Sequence, residues 1–196
     1  LCLVSKENQT GKTTFLEFLQ SIFIGNTAII STSDFEGSFN QHFISKLLIM
    51  IDESDLDKEK NTSKIKQMAT QKKCFRKAKF ENEYEIDHIG KYIIASNNER
   101  KFINIKTDDI RYCIRKLKHI NSFDPDFKDN LVKEIPAFIN FLSNRKLDTP
   151  IAKSRGWFDI NKLDTLELQK AKEAGSAELY VELKEFFTDW FAEHKN

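Results

Sequence analysis

The sequence lacks most of what marks a secreted, membrane-spanning or metal-cored protein. Cysteine occurs only at Cys2, Cys74 and Cys113. The number is odd, the spacings are wide and there is no CxxC pair, so neither a disulfide framework nor a zinc site is indicated. His42, His88, His119 and His194 are scattered in the same way. Both sets read as ordinary surface or core residues in a reducing cytosol. No apolar run approaches the ~20 residues needed to cross a bilayer. No signal peptide is visible: Leu1 follows no initiator Met and the first residues already read as a buried strand. The chain is therefore expected to be a piece cut from a longer protein. Formal net charge is only +1, so any attraction to nucleic acid has to come from local charge patterning. Internal repeats and low-complexity tracts are also missing.

What remains is a chain of 196 residues, 40% hydrophobic and 31% charged, long enough for one domain with a sizeable core and a small appendage. Its 17 Phe residues sit largely in short runs that read as core. Leu1 to Val4 form an apolar run that stops at Ser5, followed by small and polar residues and then by apolar positions at helical spacing from Thr13 to Phe23, with Gly25 as the stop. A short strand is expected from Ala28 to Ser31, and Asp34 is positioned to cap a helix leading to Phe43. Leu47-Leu48-Ile49-Met50-Ile51 reads as a strand buried on both faces of a parallel sheet. A polar helix is expected over residues 57–70, a hairpin over residues 74–88 around Glu81-Asn82-Glu83, and a buried strand from Tyr92 to Ser96. Residues 111–119 alternate enough for one more strand. The last third is helical, over residues 124–145 with Pro136 starting a second helix or bending the first, and over residues 179–191. Residues 150–164 read as loop. The order predicts an α/β core over residues 1–121, a parallel sheet flanked by helices, followed by a helical C-terminal region over residues 122–196.

Gly11-Lys12-Thr13 carries the chemistry. In a GxxxxGK[ST] loop the backbone amides wrap phosphates, the Lys reaches the β- and γ-phosphates and the hydroxyl holds magnesium. A helix starting at this point adds its positive end. The first Gly of that pattern falls at Lys6, a departure, but a buried strand precedes the loop and a periodic helix follows it, as the motif requires. Glu7, Asn8, Gln9, Thr10, Gly11, Lys12, Thr13 and Thr14 are the candidate phosphate cradle. The competing reading is an ordinary strand-to-helix turn.

Two further signals are independent of the first. Asp52-Glu53 closes a buried strand at the end where parallel sheets bind ligands. There Asp52 can join Thr13 in holding Mg²⁺ and Glu53 can polarise an attacking water; taken alone, the pair also suits a helix cap or a turn. Asn97 ends the next apolar strand, where an amide can bond both a γ-phosphate and the lytic water, or simply make a turn. Three polar termini on three buried strands converge on one sheet edge, which points to a nucleoside triphosphatase taking ATP and Mg²⁺.

Ser5 to Thr13, Leu47 to Glu53 and Tyr92 to Asn98 resemble motifs A, B and C of the superfamily 3 helicases, most closely the primase-helicases of bacteriophages and mobile elements, where Lys in place of the first Gly is familiar. The resemblance spans about residues 1–120. It implies an AAA+ type P-loop core, a homo-hexameric ring in the full-length protein, ATP-driven translocation on single-stranded DNA, often a primase domain upstream, and the cytoplasm of a bacterial or phage-infected cell. It also implies a DNA-contacting hairpin between motifs B and C. Residues 58–79 carry nine Lys or Arg against one acid, Glu59, an excess that can bind phosphates and release counterions. Lys66, Lys72, Lys73, Arg76, Lys77 and Lys79 are the candidates, with Phe75 for stacking; a solvated basic face is the plain alternative. Acidic flanks, 52–57 and 81–87, would confine this surface to a strip.

By the same resemblance Arg111 is the candidate arginine finger, reaching a neighbouring subunit's nucleotide, with Arg100 and Arg115 behind it and a surface salt bridge to Asp108 as the alternative. The aromatic stripe of Leu183, Phe186, Phe187, Trp190 and Phe191 is expected to pack against the core rather than form an oligomer contact. A regulatory P-loop ATPase acting on a protein partner is the second functional reading. A non-catalytic nucleotide-binding module is disfavoured because it has no use for Glu53.

Overall fold

The computed structural model describes residues 1–53, 56–122, 124–147 and 160–193. Its centre is a five-stranded sheet. In chain order the sheet strands are β1 (Cys2–Val4), β2 (Thr27–Ile30), β3 (Leu48–Ile51), β6 (Lys91–Ser96) and β7 (Ile114–Lys116). They lie side by side as β2-β3-β6-β1-β7, and every neighbouring pair is parallel. Parallel pairing needs a crossover for each return, and covering helices bury both faces, which is why the strands read as continuous apolar runs.

The two faces are sorted by alternation along each strand. Cys2, Val4, Ile49, Ile51 and Ile94 point into one core cluster, with Phe35, Phe43, Ile65, Met68, Ile105 and Leu168. Leu3, Met50, Ile93 and Ala95 point the other way, against Leu16. Leu16 belongs to α1 (Lys12–Ile22), so the helix that opens at Gly11 covers the second face. Helix α3 (Glu59–Thr70) covers the first with Ile65 and Met68.

Several expectations are revised. Helix α2 spans only Thr32–Glu36, and its cap is Ser31, not Asp34. Asp34 sits three residues on, where its carboxylate accepts from the Ser31 backbone while Ser31 Oγ accepts from the Asp34 amide; this is a capping box, and it ends at Gly37 well short of Phe43. The hairpin forms from β4 (Lys73–Arg76) and β5 (Tyr84–Asp87), antiparallel, with a shorter first strand than the apolar pattern suggested. β7 keeps three residues of the expected nine because its one neighbour, β1, offers three partners. Helix α4 (Phe127–Asn144) runs through Pro136 without dividing. It lies on α1 through Phe18 and Phe138, whose ring centroids are 5.8 Å apart, and through Lys128 and Glu17.

The expected loop over residues 150–164 falls mostly outside the described residues; within it, Ile160–Lys162 make a single 3-10 turn. Helix α5 runs from Leu166 to Glu193, starting far earlier than residue 179. Thr165 caps it: its hydroxyl donates to the Ile114 carbonyl of β7 and accepts from the Leu168 amide. Gly175 marks a close approach, since a Cβ there would lie 2.9 Å from the Ile105 carbonyl oxygen. The early turns of α5 are core, with Leu168 and Ala171 buried. The aromatic stripe further along is not: Leu183, Phe186, Phe187, Trp190 and Phe191 are 45–60% exposed. The expected packing of this stripe on the core is therefore corrected to an open apolar face. Among the described residues, no helix is long and apolar enough to cross a membrane.

Candidate nucleotide site

β1, β3 and β6 are adjacent and parallel, so their carboxyl ends share one edge. The loop after β1 is shaped by its own hydrogen bonds. Ser5 Oγ donates to the Glu7 carbonyl and accepts from the Glu7 amide. The Ile120 amide, just past β7, donates to the Gln9 carbonyl. Gln9 and Gly11 take positive φ, 55° and 77°, the left-handed region that favours glycine. Gly11 is the N-cap of α1 and supplies no side chain; no side chain caps this end and the first turn has no acid. The amides at the start of α1 are thus left to an external acceptor.

An open cleft of about 210 Å³ is lined by Asn8, Gln9, Thr10, Gly11, Lys12, Thr13, Thr14, Asp52, Glu53 and Asn97. Lys12 Nζ donates to Thr10 Oγ1 at 3.2 Å and approaches the Glu7 carbonyl at 3.5 Å, at the long limit for a hydrogen bond. Partial burial lowers its pKa, against the pull of Asp52 and Glu99 in the other direction. Thr13 Oγ1 donates to Asp52 Oδ2 at 3.1 Å, joining the first turn of α1 to the end of β3. Glu53 follows with φ 51° and its amide on Asp52 Oδ1, a backbone conformation uncommon outside glycine. Of the two asparagines after β6, Asn98 makes the turn, its side chain accepting from the amides of Arg100 and Lys101. Asn97 lines the cleft.

Glu99, which the motifs do not mark, braces the loop beside the cleft. It accepts from the Lys6 amide at 3.1 Å and pairs with Lys116 at 2.9 Å, tying the loop after β1 to β6 and β7. Burial pushes its carboxyl up, and the bonds from Lys116 and Lys6 outweigh this and hold it below the ordinary range. Its only signal in the sequence is an acid two residues past Asn97.

Arg111 lies away from this cleft. It precedes β7, whose Ile114 pairs with Cys2 at the start of β1, so it occupies the amino-terminal edge of the sheet. Its partner is Asp109, not Asp108: Arg111 Nε donates to Oδ1 at 2.8 Å and Nη2 to Oδ2 at 2.9 Å. Lys66 joins the same carboxylate at 3.0 Å with its side chain only 17% exposed. The other basic candidates lie on or beside the hairpin, where the acids fold onto them rather than flanking them. Lys73 pairs with Glu85, Arg76 with Glu81 and Lys77 with Glu83. Lys79 Nζ lies 4.9 Å from the Phe80 ring centroid, and Lys72 precedes β4 on the surface. Phe75 is 54% exposed and Phe80, at φ 65°, is 95% exposed.

A family of unknown function, DUF5906, matches residues 3–115, from β1 into β7 and more than half of the chain. The chain belongs to the DUF5906 family. No curated protein matches it. Among solved structures it is similar to the apo structure of the NrS-1 C-terminal region (305–718), at TM-score 0.70 and 18% identity over 90% of this chain and 42% of that one. The A form apo structures of the same region give TM-scores of 0.67 and 0.70, again at 18% identity. The chain spans less than half the length of these structures, and at this identity the likeness is one of fold.

Proposed function

We propose that this chain is the ATP-hydrolysing motor of a superfamily 3, AAA+ type DNA helicase, working with Mg²⁺ and moving along single-stranded DNA as a ring, hexameric in the full-length protein. The observation that carries the reading is the meeting of Lys12, Thr13, Asp52, Glu53 and Asn97 at one sheet edge, beneath an uncapped helix start. Thr13 and Asp52 offer hard oxygen donors already 3.1 Å apart, which suits Mg²⁺. When bound there, the cation would neutralise charge on the phosphates.

The rest falls to the chain's own groups. The amides of residues 9–13 and the start of α1 receive phosphate oxygens. Lys12 exchanges its weak contacts with Thr10 and Glu7 for the phosphates, and its partial dehydration strengthens that attraction. Glu53 orients the attacking water and takes up its proton, while Asn97 holds the water and the terminal phosphate in register. Arg111 stands at the opposite edge, so it serves a neighbouring copy, as a finger supplied in trans. The hairpin, with Phe75 and the strip from Lys72 to Lys79, is the DNA element.

One observation favours the second reading, a regulatory ATPase with a protein partner: much of the hairpin's positive charge is paired internally. Hydrolysis measured with and without single-stranded DNA on the full-length protein and on Lys12→Ala separates them. Stimulation that vanishes in Lys12→Ala is the expected result. Hydrolysis abolished by Lys12→Ala yet indifferent to DNA rejects the helicase in favour of the regulatory ATPase.

A further inference from the structure

Asp109 is a buried carboxylate, 4% exposed, at the amino-terminal edge of the sheet, far along the fold from the phosphate loop. It is saturated with donors. Beyond the two guanidinium bonds and Lys66, its Oδ1 also accepts from the Arg111 amide at 3.1 Å. Burial raises such a carboxyl, but the bonds from Arg111 and Lys66 prevail and hold it below the ordinary aspartate range. It is therefore a fixed anion, and the guanidinium is seated on it by two parallel bonds, the geometry that orients arginine most strongly.

This seating uses one edge of the guanidinium, Nε and Nη2. Arginine has five N–H donors, so Nη1 and the second Nη2 proton stay available. The Arg111 side chain is 46% exposed and borders an open cleft of about 510 Å³ with Lys66, Asn104, Lys106 and Asp109. A long side chain on a loop would otherwise sample many rotamers. Here its direction is set before any partner arrives. Lys66, which its sequence position groups with the DNA-binding strip, projects from α3 to the same carboxylate.

We infer that Asp109, braced by Lys66, is a positioning residue that presents Arg111 to the nucleotide of a neighbouring copy. The inference rests on the motor reading above and adds to it the groups that set the finger's pose. Lys66 accordingly belongs to the contact between copies and not to the DNA path.

The test uses the full-length protein, with ATP turnover, affinity for Mg·ADP and the ratio of turnover with and without single-stranded DNA as readouts. Asp109→Glu keeps the charge that Lys66 and Arg111 require, so the fold is retained, but it displaces the carboxylate. Turnover is expected to fall roughly 10- to 100-fold with Mg·ADP affinity unchanged. The double variant with Arg111→Ala should be no worse than Arg111→Ala alone, since both act through one group. Mixing Asp109→Glu with Lys12→Ala subunits should restore turnover, because the Lys12→Ala neighbours carry a correctly seated Arg111. Lys66→Met, a second and milder variant, should lower turnover while leaving the DNA ratio as it was.

Turnover within twofold of wild type in Asp109→Glu, while Arg111→Ala loses it, overturns the positioning role and leaves the motor reading standing. No recovery on mixing also overturns it, since the fault then lies in the variant's own site. A Lys66→Met protein with normal basal turnover and a collapsed DNA ratio returns Lys66 to the DNA path and refutes its place here. If Arg111→Ala itself hydrolyses ATP normally, the trans finger fails and this inference with it; normal hydrolysis by Lys12→Ala removes the nucleotide site instead.

Discussion

Replacing Asn40 with Ala should loosen the β4–β5 hairpin and leave the sheet untouched. A two-stranded hairpin is marginal by itself in water, and besides the core contacts of Cys74 and Ile86 this one is tied to the rest of the chain by the side-chain amide of Asn40. Asn40 Nδ2 donates to the Phe75 carbonyl at 2.9 Å, and its Oδ1 accepts from the Lys77 amide at 2.8 Å. The amides of Asn40 and Gln41 both donate to the Lys77 carbonyl. The side chain thus acts as an extra strand partner for β4. A net hydrogen bond contributes about 0.5–1.5 kcal/mol. The bond to Phe75 is exposed and belongs at the low end, while the one to Lys77 is half-buried. Together they amount to about 1.5 kcal/mol, or roughly a tenfold rise in the opening constant of the hairpin. Native-state hydrogen exchange reads this directly. Amides of residues 73–87 should exchange about tenfold faster in Asn40→Ala, with those of β1 and β6 unchanged. Asn40→Asp keeps the acceptor for Lys77 but sets a carboxylate against the Phe75 carbonyl, so it should loosen the hairpin at least as much. Equal acceleration across hairpin and sheet, or none in the hairpin, would refute the reasoning.

Other consequences are as direct. Leu16 is fully buried between α1 and the sheet, so Leu16→Ala should cost about 2–5 kcal/mol in urea unfolding; a cost under about 1 kcal/mol would mean that α1 does not cover that face. Thr13→Val removes the hydroxyl that meets Asp52 and should raise the Mg²⁺ concentration needed for half-maximal hydrolysis about tenfold or more, with little change in melting temperature; an unaltered Mg²⁺ dependence would reject the ligand assignment. Asp109 has a folded pKa below its usual 3.8, so its contribution to stability is present above the unfolded value and is lost as pH falls through the folded one. The advantage of wild type over Asp109→Asn should therefore shrink below about pH 4; a constant gap on acidification would contradict it. Phe186→Ser and Trp190→Ser alter exposed positions and should each shift stability by less than about 0.5 kcal/mol, whereas a loss of several kcal/mol would restore the packed-stripe expectation.

The parts of this protein legible in the sequence are those where a local rule and the tertiary environment agree. β1, β3 and β6 are covered on both faces, so each is an unbroken apolar run, and each ends abruptly at the polar residues that line the cleft. Gly11 stands where the chain needs a left-handed turn, and the periodic stretch after it is α1. Gly11, Asp52 and Asn97 stood out as candidates because they sit at element ends, which the pattern marks, and they line one cleft.

The sequence by itself determined the alternation of buried strands and helices and the polar group that closes each central strand, because burial on both faces leaves a pattern within a few residues. Only the tertiary structure decided what meets what. The strand order sets Asn97 beside the loop after β1; the hairpin register turns acids that are neighbours in sequence into partners of Lys73, Arg76 and Lys77. Lys66 crosses to Asp109 from another element, and a turn geometry that no spacing rule encodes hands Arg111 to Asp109 rather than Asp108. Whether the late turns of α5 touch the core was equally out of reach, since an apolar stripe has the same spacing when it is covered and when it is bare. Periodicity records which way a side chain faces, and its partner depends on where the rest of the chain has gone.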